Sequence, residues 1–239
     1  VKIGDSVYYA DGNGRLKTGW NRFAENGITL WRYLDTATGV YREAVKDSSH
    51  EDTAKYNWYQ IKNSDGNTEI YCIYNNSTLL KNYQNVDGKR YYFDTATGVL
   101  KKGWFKSGTN LCYSDPDTGV ITAGLQLNGR YYLNSNGVTL KGWQTVKVDG
   151  VNKKYYFRET GEKASGWITI SGNCLINGGE AATGFIAMEG SAFYFNGSGV
   201  MQTGIQNVKT ERGTFRYGFD RESGRLQKGE FTLNGVSYY

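Results

Sequence analysis

A short motif, glycine followed by tryptophan, recurs along the chain and constrains its fold more than any other feature. The motif occurs at Gly19-Trp20, Gly103-Trp104, Gly142-Trp143 and Gly166-Trp167. Weaker copies keep the glycine and replace the tryptophan: Gly124-Leu125, Gly184-Phe185, Gly204-Ile205 and Gly229-Glu230. From Gly103 onward the copies lie 18 to 25 residues apart. This spacing is typical of one supersecondary unit per repeat.

Each repeat contains a second landmark, a run of aromatic residues followed by a polar turn. The runs are Arg90-Tyr91-Tyr92-Phe93, Arg130-Tyr131-Tyr132-Leu133, Lys154-Tyr155-Tyr156-Phe157 and Ala192-Phe193-Tyr194-Phe195. Two of these runs follow closely after Asp87-Gly88 and Asn128-Gly129. Such dipeptides between apolar segments are a strong β-hairpin signal. Each repeat is therefore predicted to form a strand, a turn, a second strand and a second turn.

An isolated hairpin is marginally stable in water, so the predicted hairpins need neighbours. We predict an all-β fold, a solenoid (superhelix) of stacked β-hairpin repeats of about 20 residues, in which each repeat buries its apolar face against the next. Residues 1–239 are predicted to form a single repeat array, a fragment of a longer protein, because the chain begins and ends inside repeats. A polar insertion at 46–57 and a degenerate repeat at 58–83 interrupt the array.

Alternation along a strand assigns the residues of each aromatic run to two faces. Positions equivalent to Tyr91 and Phe93 accept varied apolar residues, so this face is predicted to be the core. The position equivalent to Tyr92 is tyrosine in most repeats, and this face is the candidate ligand face. The three cysteines fall at the Tyr91 position: Cys72, Cys112 and Cys174. They are predicted to be buried apolar residues, since no metal-binding spacing occurs among them.

Composition and charge exclude several classes of protein. The net charge of +5 is spread along the chain, so a nucleic acid partner is not predicted. Membrane insertion by a helix needs about 18 consecutive apolar residues, and no such stretch occurs. An aromatic content of 15% argues against disorder.

The sequence offers no candidate catalytic residue, metal site or cofactor site. The single histidine, His50, lies in the polar insertion and is predicted to be in a solvated loop without a nucleophile. The segment Asp94-Thr95-Ala96-Thr97-Gly98 and its copies look like calcium loops but supply too few oxygen ligands. These segments are predicted to be turns. An enzyme is therefore not expected.

The two landmarks together resemble a known superfamily. Gly142-Trp143-Gln144-Thr145-Val146, leading to Lys153-Lys154-Tyr155-Tyr156-Phe157, is similar to the cell-wall-binding or choline-binding repeat. That superfamily includes the glucan-binding repeats of glucansucrases and the repetitive oligopeptides of large clostridial toxins. The resemblance covers nearly the whole chain and is weakest in residues 41–83. It implies a β-hairpin superhelix in a secreted or surface protein of a Gram-positive bacterium, with ligands in shallow grooves between consecutive hairpins.

The choice of ligand depends on the position equivalent to Arg90. The resemblance implies that choline-binding repeats carry tryptophan there, in an aromatic box for a quaternary ammonium group. A cation stands at this position in several repeats, which disfavours choline: Arg90, Arg130 and Lys154. Only the hairpin with Trp20, Trp31 and Tyr33 keeps the choline-type set.

A neutral glycan, an α-glucan or a cell-wall polysaccharide, is therefore the expected partner. A pyranose stacks on an aromatic ring while polar side chains bond its hydroxyl groups. The predicted ligand-binding residues are Trp20, Trp31, Tyr33, Trp104, Trp143, Trp167, Tyr92, Tyr132, Tyr156, Arg90, Arg130, Lys154 and Gln144. The sequence leaves open a module for phosphocholine on teichoic acid, a receptor-binding domain of a toxin or adhesin, and a structural spacer. It does not predict the oligomeric state.

Overall fold

The fold consists of β-strands throughout the part that the computed structural model describes, residues 1–169, 173–177, 180–233 and 235–238. No helix occurs in these ranges, and hence none that is long and apolar enough to cross a membrane. The chain divides into two compact units. One comprises Val1–Gly124 with Leu133–Thr139, and the other comprises Leu125–Tyr132 with Leu140–Tyr239. The predicted all-β class of hairpin repeats is confirmed.

The strands of the first unit are short and pair antiparallel. They are β1 (Lys2–Ile3), β2 (Ser6–Val7), β3 (Gly19–Glu25), β4 (Ile28–Leu34), β5 (Tyr41–Arg42), β6 (Val45–Lys46), β7 (Tyr56–Lys62), β8 (Thr68–Tyr74), β9 (Thr78–Leu79), β10 (Asn82–Val86), β11 (Lys89–Phe93), β12 (Gly103–Ser107) and β13 (Asn110–Ser114). The main hairpins are β3–β4, β7–β8, β10–β11 and β12–β13. Strand β5 extends the first of them, and β6 and β9 flank the second.

The later strands repeat the pattern. They are β14 (Gly124–Gln126), β15 (Tyr131–Leu133), β16 (Gly142–Val148), β17 (Val151–Phe157), β18 (Gly166–Thr169), β19 (Asn173–Asn177), β20 (Glu180–Ala181), β21 (Gly184–Met188), β22 (Ser191–Phe195), β23 (Gly204–Thr210), β24 (Gly213–Phe219), β25 (Phe231–Leu233) and β26 (Val236–Tyr238). In the second unit β20 lies between β17 and β19, which joins two hairpins into a five-stranded sheet.

Four hairpins close with a two-residue turn in which both central residues have positive φ. The φ pairs are Asn26-Gly27 (50°, 77°), Asp87-Gly88 (47°, 78°), Asp149-Gly150 (49°, 83°) and Glu189-Gly190 (49°, 72°). This is the geometry of a type I′ turn, whose twist matches that of the paired strands. The Asp-Gly signal in the sequence therefore predicts the turn for a physical reason.

The glycines of the Gly-Trp motif and of its weaker copies are here called the anchor glycines. They are required because of their backbone conformation, and not because a larger side chain would clash with a neighbour. Gly103 and Gly142 have φ of 66° and 67°, in the left-handed region. A Cβ atom built on either would meet no heavy atom within 4 Å. In β10, Asn82 takes the equivalent place with φ of 63°, since asparagine tolerates this region better than most residues. The position with positive φ is therefore kept even in a hairpin where no tryptophan follows it.

Successive hairpins are held together by backbone hydrogen bonds. After several hairpins the chain returns to donate an N–H to the second strand of the hairpin before it. In the first unit, Leu100 N donates to Ile70 O at 2.8 Å and Ile121 N to Arg90 O at 2.7 Å. In the second unit, Leu226 N donates to Ala192 O at 2.8 Å. Each of these contacts is between neighbouring repeats, as the stacked-hairpin prediction requires.

The predicted core face is confirmed. At the Phe93 position the buried residues are Leu34, Phe93, Leu133, Phe157 and Phe195. At the Tyr91 position, Cys72 and Cys112 are buried and free, and burial raises the pKa of both thiols. The side chain of Cys174 lies outside the described residues. The two described cysteines are therefore apolar fillers of the core.

Candidate functional site

One pair of aromatic rings recurs at the same place in several hairpins. The residue after the anchor position lies opposite the third residue of the aromatic run. The pairs are Trp20 with Tyr33, Tyr83 with Tyr92, Trp104 with Tyr113, Trp143 with Tyr156 and Phe185 with Tyr194. Their ring centroids lie 4.6 to 5.6 Å apart. The fold therefore repeats one arrangement of two aromatic rings, here called the ring pair, along the chain.

The ring pairs differ in exposure. Trp104 is 42% exposed, while Trp143, Tyr156 and Tyr132 are half-buried. Tyr33 and Tyr92 are only 3% and 5% exposed. The expectation of an open face at Tyr33 and Tyr92 is thus corrected.

The next hairpin covers each of these two tyrosines. Tyr92 stacks on Phe105 with centroids 4.9 Å apart and planes at 16°, and Tyr33 lies 5.6 Å from Tyr71. The second face of a hairpin can thus be buried by its neighbour, which a single-strand pattern does not reveal. The ligand roles of Tyr33 and Tyr92 stay predictions.

The ring pair of the first hairpin belongs to a larger aromatic cluster. The Trp20 ring lies 5.4 to 6.2 Å from those of Trp31, Tyr33, Tyr59 and Tyr71. The indole Nε1 of Trp20 is buried and has no hydrogen-bond partner among the described residues. The structure thus brings together the three residues predicted as a choline-type set and adds two tyrosines of the next hairpin.

The tyrosine hydroxyl groups of this cluster are hydrogen-bonded within the protein. Tyr71 donates its O–H to Glu69 Oε2 at 2.7 Å, and its oxygen lies 3.3 Å from that of Tyr33. Asn63 Nδ2 donates to Glu69 Oε1 at 3.1 Å. Burial raises the pKa of Tyr71, so its hydroxyl stays a donor. These hydroxyl groups stabilise the contact between two hairpins.

The predicted cationic residues lie over aromatic rings of the chain itself. Lys154 Nζ is 4.9 Å from the Trp143 ring centroid, and the Arg90 guanidinium is 5.2 Å from that of Tyr83. In the first hairpins, Arg22 lies 6.0 Å from the Trp31 ring and Lys46 Nζ lies 4.3 Å from the Tyr59 ring. A cation at such a distance is attracted by the ring face. Several aromatic faces therefore already contact a cation of the protein.

The same cationic position also bonds a distant turn. Arg90 Nη2 donates to Asn136 Oδ1 at 2.9 Å, and Lys154 Nζ donates to Ser198 O at 2.7 Å. At the equivalent position, Trp31 Nε1 donates to Asn76 O at 3.0 Å. Arg90 and Lys154 reach turns two hairpins later, 46 and 44 residues away, and Trp31 reaches the turn that follows the next main hairpin, 45 residues away. Arg130 instead pairs with Glu162 at 2.5 Å. These partners could not be predicted from the sequence because they lie 32 to 46 residues away along the chain.

Gln144 follows a local pattern that was not predicted. Its Nε2 donates to the Lys141 carbonyl oxygen at 2.8 Å. Gln84 and Gln206 make the same bond to the carbonyl three residues earlier, at 2.7 Å in each case. The side chain thus satisfies a backbone acceptor where the chain enters a hairpin, and its role in ligand binding stays a prediction. Trp167 lies in β18, and its side chain is outside the described residues.

The prediction that His50 lies in a solvated loop is wrong. Its side chain is 4% exposed and its ring stacks on Trp58 with centroids 4.1 Å apart. Nδ1 lies 2.5 Å from Asp47 Oδ2, and Nε2 lies 2.8 Å from the carbonyl oxygen of Thr118. Both ring nitrogens of His50 therefore contact acceptor atoms of the protein. Thr118 is 68 residues away, which is why the sequence does not reveal the contact.

The carboxylate of Asp47 completes this buried network. Burial raises its pKa, but hydrogen bonds from His50 and Ser49 outweigh that effect, and the net pKa is lowered. The Ser49 hydroxyl donates to Asp47 Oδ2 at 2.8 Å. The polar insertion is therefore anchored by a buried hydrogen-bond network rather than solvated along its length.

The turns that resemble calcium loops are hydrogen-bonded turns, as predicted. Asp94 Oδ1 accepts the backbone N–H groups of Ala96 and Thr97, each at 3.0 Å. The N–H of Thr97, together with Lys101, lowers the pKa of Asp94 to about 2. Backbone N–H bonds likewise lower the pKa of Asp115 and Asp220. Among the described residues no cluster of histidine, cysteine or acidic side chains could hold a metal ion.

This geometry predicts an acid dependence of stability. Because the pKa of folded Asp94 lies below its ordinary value of 3.8, the ionised carboxylate stabilises the fold above that pH. That contribution is lost as the pH falls from the ordinary value through about 2. We expect Asp94→Asn to flatten the fall in melting temperature over this range, measured by circular dichroism. The matched change of the exposed Asp65 to asparagine should leave the profile unchanged, and an equal effect of both changes would contradict the assignment.

Comparison with known proteins gives one family match and one curated relative. Residues 1–16 match a family described as a putative cell wall binding repeat. Glucosyltransferase-S of Streptococcus downei is 26% identical over 246 aligned positions, which cover 95% of this chain. The chain spans only 17% of the length of that relative.

A solved structure shows the same fold. CbpJ from Streptococcus pneumoniae TIGR4 superposes with a TM-score of 0.56 and 20% identity, over 100% of this chain and 90% of that chain. The choline-binding domain of CbpL from Streptococcus pneumoniae is 26% identical, with a TM-score of 0.42 over 84% of this chain and 95% of that chain. The fold comparison rests on the first of these two.

Proposed function

From the confirmed resemblance of the chain to the cell-wall-binding repeat superfamily, we propose that it is a non-catalytic module that binds a neutral polysaccharide. The polymer is an α-glucan or a cell-wall glycan, and the module attaches a secreted or surface protein of a Gram-positive bacterium to it. The observation that carries this proposal is the ring pair that recurs in several hairpins. Trp104 with Tyr113 and Trp143 with Tyr156 are its two tryptophan-containing copies outside the first hairpin.

A partly exposed aromatic ring suits a sugar. The C–H face of a pyranose packs on the ring, and nearby polar groups bond the hydroxyl groups. Among the predicted site residues whose side chains the structure describes, Trp104 offers the most exposed ring. Several such surfaces on one chain raise the retention on a polymer above the affinity of any single site.

The cations of the protein favour a neutral ligand over choline. The first hairpin keeps the choline-type set of Trp20, Trp31 and Tyr33, yet Tyr33 is buried and Arg22 lies over Trp31. In the second unit, Lys154 lies over Trp143. A positive charge fixed at a ring face repels a quaternary ammonium group that approaches the same face.

Affinity electrophoresis tests the proposal. The chain should be retarded in native gels that contain dextran, starch or a purified cell-wall polysaccharide, in at least one of the three. Choline at millimolar concentration should not release it. No retardation in any gel would favour the structural spacer, and calorimetric titration that detects several choline sites per chain would favour the choline-binding alternative.

A further inference from the structure

Lys154 occupies the aromatic surface of its own hairpin. Trp143 and Tyr156 lie opposite each other on β16 and β17, with ring planes at 66° and centroids 5.3 Å apart. The Lys154 ammonium lies 4.9 Å from the Trp143 centroid. It also donates to the carbonyl oxygen of Ser198 at 2.7 Å, which tethers it there. The side chain is thus held at the ring by two independent contacts.

The charge of this ammonium group is not neutralised by a carboxylate. Among the described residues Lys154 forms no ion pair, whereas its neighbours do: Lys153 pairs with Glu180 at 3.1 Å and Lys141 with Glu159 at 3.6 Å. The positive potential at the Trp143 face is therefore uncompensated, and a second cation is repelled from it.

The arrangement recurs in the first unit. Arg90 lies over Tyr83, and it bonds Asn136 two repeats later in the same way that Lys154 bonds Ser198. A side chain long enough to reach both the ring and the distant turn is needed at this position. Lysine and arginine meet that need because their apolar stems pack on the ring while the charged head reaches a polar partner.

We propose that Lys154 is a built-in cationic occupant of the Trp143–Tyr156 ring pair and determines specificity there, excluding cationic ligands in favour of neutral ones. This inference rests on the proposed function, since it concerns a ring pair assigned to glycan contact. Removal of the ammonium group should leave two aromatic faces that attract a weakly hydrated cation. Lys154→Ala should therefore gain a quaternary ammonium site that the parent chain lacks.

The experiment titrates tetramethylammonium and choline into the parent chain, Lys154→Ala, Lys154→Gln and Lys154→Arg, followed by tryptophan fluorescence against a sodium chloride blank. Glutamine removes the charge and keeps an N–H donor for Ser198 O. This variant therefore distinguishes the effect of the charge from an effect on folding. Both neutral variants should bind the cations at least ten-fold more tightly than the parent, and the arginine variant should match the parent. Lys147→Ala, an exposed change on the same hairpin, should have no effect.

Two results would overturn the inference. One is that folded Lys154→Ala and Lys154→Gln bind the cations no better than the parent. The other is that the gain persists when Trp143→Leu is added, because the new site would then lie elsewhere. The cation titration needs no polysaccharide. A failure of glycan binding in the gels would therefore overturn the proposed function, but the titration would still test the role of Lys154.

Discussion

A His50→Ala variant should lose on the order of 1–3 kcal/mol of stability in the first unit, the usual cost of removing the hydrogen-bond partner of a buried polar group. Asp47, with 3% of its side chain exposed, would remain as a buried carboxylate without its contact to His50 Nδ1. The stack on Trp58 and the bond to Thr118 would be lost as well. Denaturant unfolding measures the loss, and hydrogen exchange in β7 and β11 should show that it is local to this unit.

The matched control is Glu51→Ala, an exposed change next to His50 that should alter stability by less than about 0.5 kcal/mol. Asp47→Ala should cost about as much as His50→Ala. The double variant should cost much less than the sum, since the two residues form one network. Additive effects, or equal stability of the Glu51 and His50 variants, would show that the network does not stabilise the unit.

The hairpins could be predicted because their determinants are local. A glycine at the anchor and an Asp-Gly turn such as Asp87-Gly88 each specify backbone conformation within a few residues. The core face was also predictable, since the alternation of a single strand places Tyr91 and Phe93 together. Both residues are buried.

The environment of His50 and the covered tyrosines could not be predicted because their determinants are distant. His50 bonds Thr118 across 68 residues. Tyr92 is covered by Phe105 of the following hairpin. Alternation along a strand separates the two faces of one hairpin, but it does not tell which face the next hairpin covers.

At the cationic position the sequence predicted the charge beside the aromatic rings but not the hydrogen-bond partners of that charge. In the sequence, Arg90 and Lys154 stand beside aromatic residues. Their positive charge predicts that these positions disfavour choline. The structure adds that each is held by a polar turn two repeats later, through Asn136 and Ser198. These residues therefore have two roles: they stabilise the contacts between hairpins, and they place a positive charge at the aromatic rings.

The double variant Trp104→Ala/Trp143→Ala should weaken binding to the retarding polysaccharide by on the order of ten-fold or more, because loss of two contact surfaces removes their multivalent contribution. Each single change should have a smaller effect. Phe215→Ala, which removes an exposed aromatic ring outside the ring pairs, is the matched control. Affinity electrophoresis gives the dissociation constants, and circular dichroism establishes that each variant is folded. If the folded double variant is retarded as strongly as the parent, the ring pairs are not the glycan contact and the polysaccharide binds another surface of the repeats.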